Sequence, residues 1–265
     1  MGKSYHCLLI IASLLLGHVS FAQDSLILEG IEGISTFAKD AGGNIYVADK
    51  KHSLLKFDKH GKQITNVNIK SYGDISSIDC SNPFEIYVYY QDQNIIVFYD
   101  NMLFARGEIR LNNYYFTNVS CISRSFDNNI WLIDMSEYKL IKINKKGDIL
   151  LETPYLYNIL NTTLKSYKIW ERDNFVFVAD SANGIHKFDH YGTHINTYYI
   201  KNATGASLVS NFFFFKVKHE LFSYHVLTRE MKNLSIALKE NTSIYAQNEH
   251  VYISKENKII SYPAE

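Results

Sequence analysis

The sequence predicts an all-β fold: a six-bladed β-propeller of four-stranded antiparallel blades, with an N-terminal strand closing the last blade. Three observations carry this. A short apolar strand centred on an aromatic residue recurs six times, at intervals of 41, 44, 46, 37 and 38 residues. The chain holds 20 Tyr and 16 Phe but 3 Pro, a composition that favours strands. The last copy lacks a fourth strand, while a strand-like segment near the N-terminus belongs to no complete copy.

The repeats align on Tyr46, Tyr87, Trp131, Phe177, Phe214 and Tyr252. Each centres a continuous apolar run such as Ile45-Tyr46-Val47, which implies burial on both faces, as expected where one blade packs on the next. Turn-rich segments precede the motif at Asp40 to Asn44, Asp127 to Asn129 and Arg172 to Asn174. A tight Asp-x-x-Gly turn follows the third strand, at Asp58 to Gly61 and Asp189 to Gly192. Fourth strands are more polar and alternate, as in residues 64 to 69, which suits half-wetted edges. Copies five and six are shorter, but Phe213 to Tyr224 and Val251 to Tyr262 run in step. Residues 25 to 30 are expected to supply the missing outer strand of the sixth blade.

Two copies carry a family resemblance. Asp40 to Gly61 and Asn174 to Gly192 both keep Val-Ala-Asp and Phe-Asp-x-x-Gly, and so resemble NHL repeats. They depart in the polar loop, where the usual Asn-x-Arg-Ile becomes His52-Ser53-Leu54-Leu55 and Asn183-Gly184-Ile185-His186. The third copy matches more weakly, and copies two, five and six match by spacing and apolarity only.

The N-terminus reads as a signal peptide, residues 1–22. Lys3 is the basic start, Leu8 to Leu16 a short apolar core, and Ser20-Phe21-Ala22 a small-x-small site for cleavage before Gln23. An uncleaved anchor is the alternative. Cys7 borders the apolar core, before any lipoprotein-type cleavage position, so lipidation is not expected. The Phe21-Ala22-Gln23 junction resembles exported proteins of the Bacteroidota. The expected mature chain, residues 23–265, is one propeller domain, periplasmic or at the cell surface. No later apolar stretch is long enough to span a bilayer. With 27 basic and 27 acidic residues there is no general electrostatic pull toward nucleic acid or anionic membrane. A monomer is expected. Cys80 and Cys121 are expected as two buried thiols, with a disulfide the alternative. The sequons at Asn118, Asn161, Asn202, Asn233 and Asn241 matter only in a secretory eukaryotic host.

Motifs of known chemistry are missing: zinc spacings, an EF-hand loop, Walker and Rossmann glycines, and a G-x-S-x-G elbow. His186, His190 and His194 come at four-residue steps, but on a strand, a turn and the next strand, so surface histidines are expected. Lactonase and gluconolactonase propellers resemble this fold, and that resemblance implies a divalent cation such as Ca²⁺ held by Glu, Asn and Asp in the central channel. The inner strands are expected at 34–38, 75–79, 119–123, 167–170, 207–210 and 243–247. Among these only Asp79 brings a carboxylate, poor provision for a hard cation, so no cofactor or metal is expected.

Asp49, Asp134 and Asp180 recur where the second strand meets its loop. They read either as turn-shaping acceptors of backbone N–H bonds or as a polar ring at the channel mouth, and repetition favours the first. Aromatic residues cluster in the connections between blades, on one rim with the loops after Asp49 and Asp180. They suit contact with peptide or sugar, or else inter-blade packing. The expected ligand-contacting residues are Lys51, His52, Tyr72, Tyr115, Tyr155, Tyr157 and Asn183, with no catalytic or metal-binding residues. The leading expectation is thus an exported, non-enzymatic propeller that binds a protein, peptide or glycan partner through one rim. A metal-dependent hydrolase or lactonase is the alternative, and a structural assembly subunit a third reading.

Overall fold

The run Ile45-Tyr46-Val47-Ala48-Asp49 is buried along its whole length, because its two faces meet two different blades. Tyr46 and Ala48 pack toward the second blade, and Ile45 and Val47 toward the sixth. The alternation follows from the two-residue period of a strand. It holds for the second blade too, where Ile86, Val88 and Tyr90 face one neighbour and Tyr87 and Tyr89 the other.

The structure is a computed structural model and describes residues 24–264. The expected signal peptide lies outside the described residues. Strand β1 is Asp24–Ile27. The first blade is β2 (Ile34–Lys39), β3 (Ile45–Asp49), β4 (Ser53–Phe57) and β5 (Gln63–Asn68). The second is β6 (Ser77–Asp79), β7 (Ile86–Tyr90), β8 (Ile95–Tyr99) and β9 (Ala105–Arg110). The third is β10 (Val119–Arg124), β11 (Ile130–Asp134), β12 (Lys139–Ile143) and β13 (Ile149–Glu152), and a one-turn helix α1 (Leu156–Leu160) follows. The fourth is β14 (Ser166–Arg172), β15 (Phe175–Asp180), β16 (Gly184–Asp189) and β17 (His194–Tyr198). The fifth is β18 (Ala203–Val209), β19 (Phe212–Val217), β20 (Glu220–His225) and β21 (Met231–Ala237). The sixth is β22 (Ile244–Gln247), β23 (His250–Lys255) and β24 (Lys258–Pro263), with β1 as its outer strand.

These form six antiparallel four-stranded sheets, and the expected all-β propeller is the observed fold. Closure is as expected, with a shorter strand than residues 25 to 30. β1 pairs with β24 from Asp24↔Ser261 to Ile27↔Lys258, and the Leu28 N–H continues to the Asn257 carbonyl at 2.9 Å. The in-step windows of blades five and six are equivalent hairpins, since Phe213 faces Tyr224 and Val251 faces Tyr262.

Each junction between blades has its own apolar cluster, such as Trp131, Ile133, Leu156, Ile169 and Phe188 between the third and fourth. The third-to-fourth-strand turns recur in detail. The Oδ1 atoms of Asp58, Asp100, Asn144 and Asp189 each accept two backbone N–H bonds, from the residues two and four further on. Neighbouring first strands contact one another around the axis. Antiparallel order puts the second-to-third-strand loops and the blade-to-blade linkers on one rim, and the remaining turns on the other.

Candidate functional site

The expected contact residues all fall on the linker rim. Lys51 and His52 occupy the loop after β3, shaped by Asp49, whose Oδ1 accepts the N–H groups of Lys51 and Ser53 at 2.9 Å each. Lys51 pairs with Glu32 at 2.6 Å, and His52 with Asp74 at 2.5 Å. This loop therefore ties the linkers on both sides of the first blade to its tip. Tyr72 is half-buried against Tyr90 and donates its hydroxyl to Glu108 at 2.5 Å, an acceptor that raises its pKa. Asn183 is also committed: its Nδ2 donates to the Thr163 carbonyl at 2.9 Å and to Asp180 at 2.6 Å.

Three aromatic residues remain open. Tyr115 is 89% exposed and left-handed at φ 68°, at the end of a 3-10 turn. Tyr155 and Tyr157 are 48% and 44% exposed, their rings 6.3 Å apart. Tyr155 leans on Tyr138 at 5.2 Å, and the Tyr138 hydroxyl accepts the Leu164 N–H. Helix α1 begins at the residue after Tyr155, with Leu156 buried and its N–H donated to the Tyr138 carbonyl at 2.8 Å. The fold thus brings Tyr155 and Tyr157 together on a braced support. It leaves Tyr72 and Tyr115 on separate linkers. The opposite rim also exposes rings, with Phe84 at 76% and Phe126 at 70%, on single loops with no ring partner among the described residues. The sequence reading passed over these.

The repeated Asp residues shape their turns. Asp134 accepts the Ser136 N–H at 2.8 Å, and Asp180 those of Lys165 and Ala182 at 3.0 and 2.8 Å. Burial would push the Asp180 carboxyl up, but hydrogen bonds from His186, Asn183 and these backbone groups outweigh it and hold the pKa below the usual carboxylate range. His186 corrects the expectation of surface histidines. It lies 1% exposed on β16, between Thr197 Oγ1 at 2.9 Å and Asp180 Oδ2 at 3.4 Å. A third strand has both faces covered by adjacent blades, so a polar side chain there is kept only where partners satisfy it.

The channel wall carries a second carboxylate besides Asp79. First strands of blades two to six line a partly open cavity of about 220 Å³, with Asp79, Ser123, Arg124, Lys168, Trp170, Glu171, Ser207 and Tyr245 among its walls. β14 runs to Arg172, two residues past the expected strand, and this brings Glu171 onto the wall. β18 begins at Ala203 instead of residue 207. Lys168 is held with no hydrogen bond or ion pair among the described residues. Burial pushes its ammonium down to about 8, against the pull of Asp79. Cys80 and Cys121 are free and buried, on the same wall.

The cavity does not fit the cation implied by lactonase-like propellers. Asp79 already accepts the Arg124 and Ser81 N–H groups at 2.9 and 3.0 Å, and Glu171 accepts the Trp131 indole N–H at 2.8 Å. Arg124 is spent on Glu85 at 2.6 Å and would repel a cation. Among the described residues no group of three or more His, Cys, Asp or Glu could hold a metal ion.

No protein-family profile matches the chain, and no curated protein matches its sequence. Solved structures match its fold. Virginiamycin B lyase from Staphylococcus aureus superposes with a TM-score of 0.68 at 14% identity, covering 92% of this chain and 99% of that one. A protein of Bacteroides fragilis named as a candidate exported protein gives 0.67 at 13% identity, covering 91% and 94%. The Pan2 WD40 domain of Neurospora crassa gives 0.60 at 11%, covering 88% and 89%. At such identities the likeness is one of fold, and one fold hosts many functions. Among the described residues no helix is long and apolar enough to cross a membrane.

Proposed function

We propose that this is an exported, non-enzymatic binding propeller that takes a protein, peptide or glycan partner on its linker rim. The observation that carries the reading is the Tyr155–Tyr157 pair, two half-open rings at the start of α1 and braced by Tyr138. Rigid amphipathic rings lose little conformational entropy on contact and suit both peptide and sugar surfaces. Tyr115 widens the same rim, and Lys51 and His52 add polar groups farther round it. Asn183 and Tyr72 hold the loops that present these residues. The leader-like N-terminus supports export, and a Bacteroides neighbour named for export accords with it.

The test compares the chain starting at Gln23 with its Tyr155→Ala/Tyr157→Ala variant on peptide and glycan arrays and in melting. Lost binding at an unchanged melting temperature supports the rim. A large drop in melting temperature with retained binding assigns both rings to packing. The metal-dependent hydrolase or lactonase alternative predicts stoichiometric Ca²⁺ in elemental analysis of the purified protein.

A further inference from the structure

The linker rim leaves the channel without a role, yet the channel wall holds two buried polar atoms that the fold does not pair, Trp170 Nε1 and Glu171 Oε1, beside a half-buried Lys168 ammonium with no hydrogen bond or ion pair among the described residues. Lys168 and Trp170 stand two residues apart on β14, hence on one face of that strand. The Lys168 Nζ lies 5.9 Å from the Trp170 ring centroid. The Trp170 indole N–H is buried and has no acceptor, while its ring is locked by stacking on Phe177 at 5.6 Å. Leaving such donors unmet is costly, and most buried polar groups have a partner. An ammonium over the ring and an indole N–H at its edge are two donors on one stretch of wall, each able to make a charge-assisted hydrogen bond to a carboxylate.

We propose that the channel cavity is a binding site for a small monocarboxylate, held between the Lys168 ammonium and the Trp170 indole N–H. Size and charge define the class. At about 220 Å³ the cavity admits a ligand of a few carbon atoms. Asp79 on β6 and Glu171 on β14 add negative charge and Arg124 on β10 a positive one, already paired with Glu85. Two nearby carboxylates disfavour a dianion such as phosphate. Cys80, Cys121, Tyr167 and Tyr245 also face the cavity, and burial raises the pKa of each, so they stay neutral near pH 7. The Ser207 hydroxyl, which accepts the Ala246 N–H at 2.9 Å, keeps its own proton to donate.

The experiment titrates the chain starting at Gln23 with acetate and lactate by calorimetry at constant ionic strength, with acetamide and phosphate as comparators. Saturable binding of one carboxylate per chain is expected, with neither comparator competing. Lys168→Met should weaken it about tenfold or more at an unchanged melting temperature, and Trp170→Phe by a smaller factor. Affinity should fall between pH 7 and pH 9.5 as the ammonium loses its proton. Should Lys168→Met not fold, reductive methylation of the unaltered chain replaces it, with mass spectrometry expected to show Lys168 protected by acetate. Absence of saturable binding, an equal response to acetamide, or methylation of Lys168 at the same rate with and without acetate would overturn the proposal. None of these outcomes bears on the linker rim.

Discussion

The Ile27 carbonyl oxygen lies 2.6 Å from where a Cβ on Gly61 would sit. The last residue of the closing strand therefore rests on the third-to-fourth-strand turn of the first blade. The relationship recurs around the ring: Gly147 sits under Tyr114, and Gly192 under Thr153 and Leu151. Gly in these turns answers two demands at once, a left-handed backbone and room for the end of the preceding blade.

Gly61→Ala should therefore cost more than left-handed strain alone. With φ at +85°, an added Cβ costs about 1–2 kcal/mol for conformation, and the Ile27 contact adds to it. Gly30→Ala is the control, since Gly30 also has positive φ, at +77°, but nothing within 4 Å of the added atom. Denaturant midpoints should rank the wild type above Gly30→Ala and that above Gly61→Ala.

A chain starting at Glu29 should be far less stable than one starting at Gln23. It loses the four-residue pairing of β1 with β24, worth about 1 kcal/mol net per hydrogen bond. It also loses Leu28, fully buried among Ile31, Ile34 and Phe57, a burial worth roughly 1.5–3 kcal/mol. Equal melting temperatures for the two chains would remove the closing role from β1.

Asp180 should make the protein acid-sensitive. Its folded pKa is depressed, so its stabilisation is fully present above the unfolded value of about 3.9 and is lost as pH falls through the folded one. Asp180→Asn should lower stability at pH 7, because the His186 and backbone partners lose a charged acceptor. It should also flatten the fall in stability below about pH 4. Denaturant curves at several pH values measure both effects.

Cys80 and Cys121 should resist thiol reagents in the folded protein. Burial raises the Cys121 thiol to about 12 and Cys80 well above its ordinary value, so little reactive thiolate exists at neutral pH. A chain starting at Gln23 should react with an aromatic disulfide reagent only after denaturation, and then at two thiols. Reaction of either cysteine in the native state at a rate typical of an exposed thiol would contradict their burial.

Much of the ring could be read from local pattern. The alternation in Ile45-Tyr46-Val47, the Asp58 and Asp189 turns and the unmatched ends all depend on neighbours in the chain, and each appears where expected. Lys51, His52, Tyr115, Tyr155 and Tyr157 could be placed on one rim because antiparallel order alone dictates which loops share an end. The roles of Tyr72 and Asn183 could not, since Glu108 and Thr163, distant in the chain, reach them only once each blade has folded onto the linker that precedes it.

The sequence by itself thus determined the six blades, their strand order and the closure through β1, because strand period, turn chemistry and repeat spacing are properties of contiguous residues. Tertiary structure alone decided that His186 is buried and that Lys168, Trp170 and Glu171 share a cavity with Asp79 and Tyr245. Those residues come from different blades, and a lysine on an alternating strand looks like a surface residue until the ring closes around it. The Gly61–Ile27 contact stands between the two cases. Its glycine is legible as a turn, but the close approach that makes the glycine indispensable appears only when the first and last blades meet.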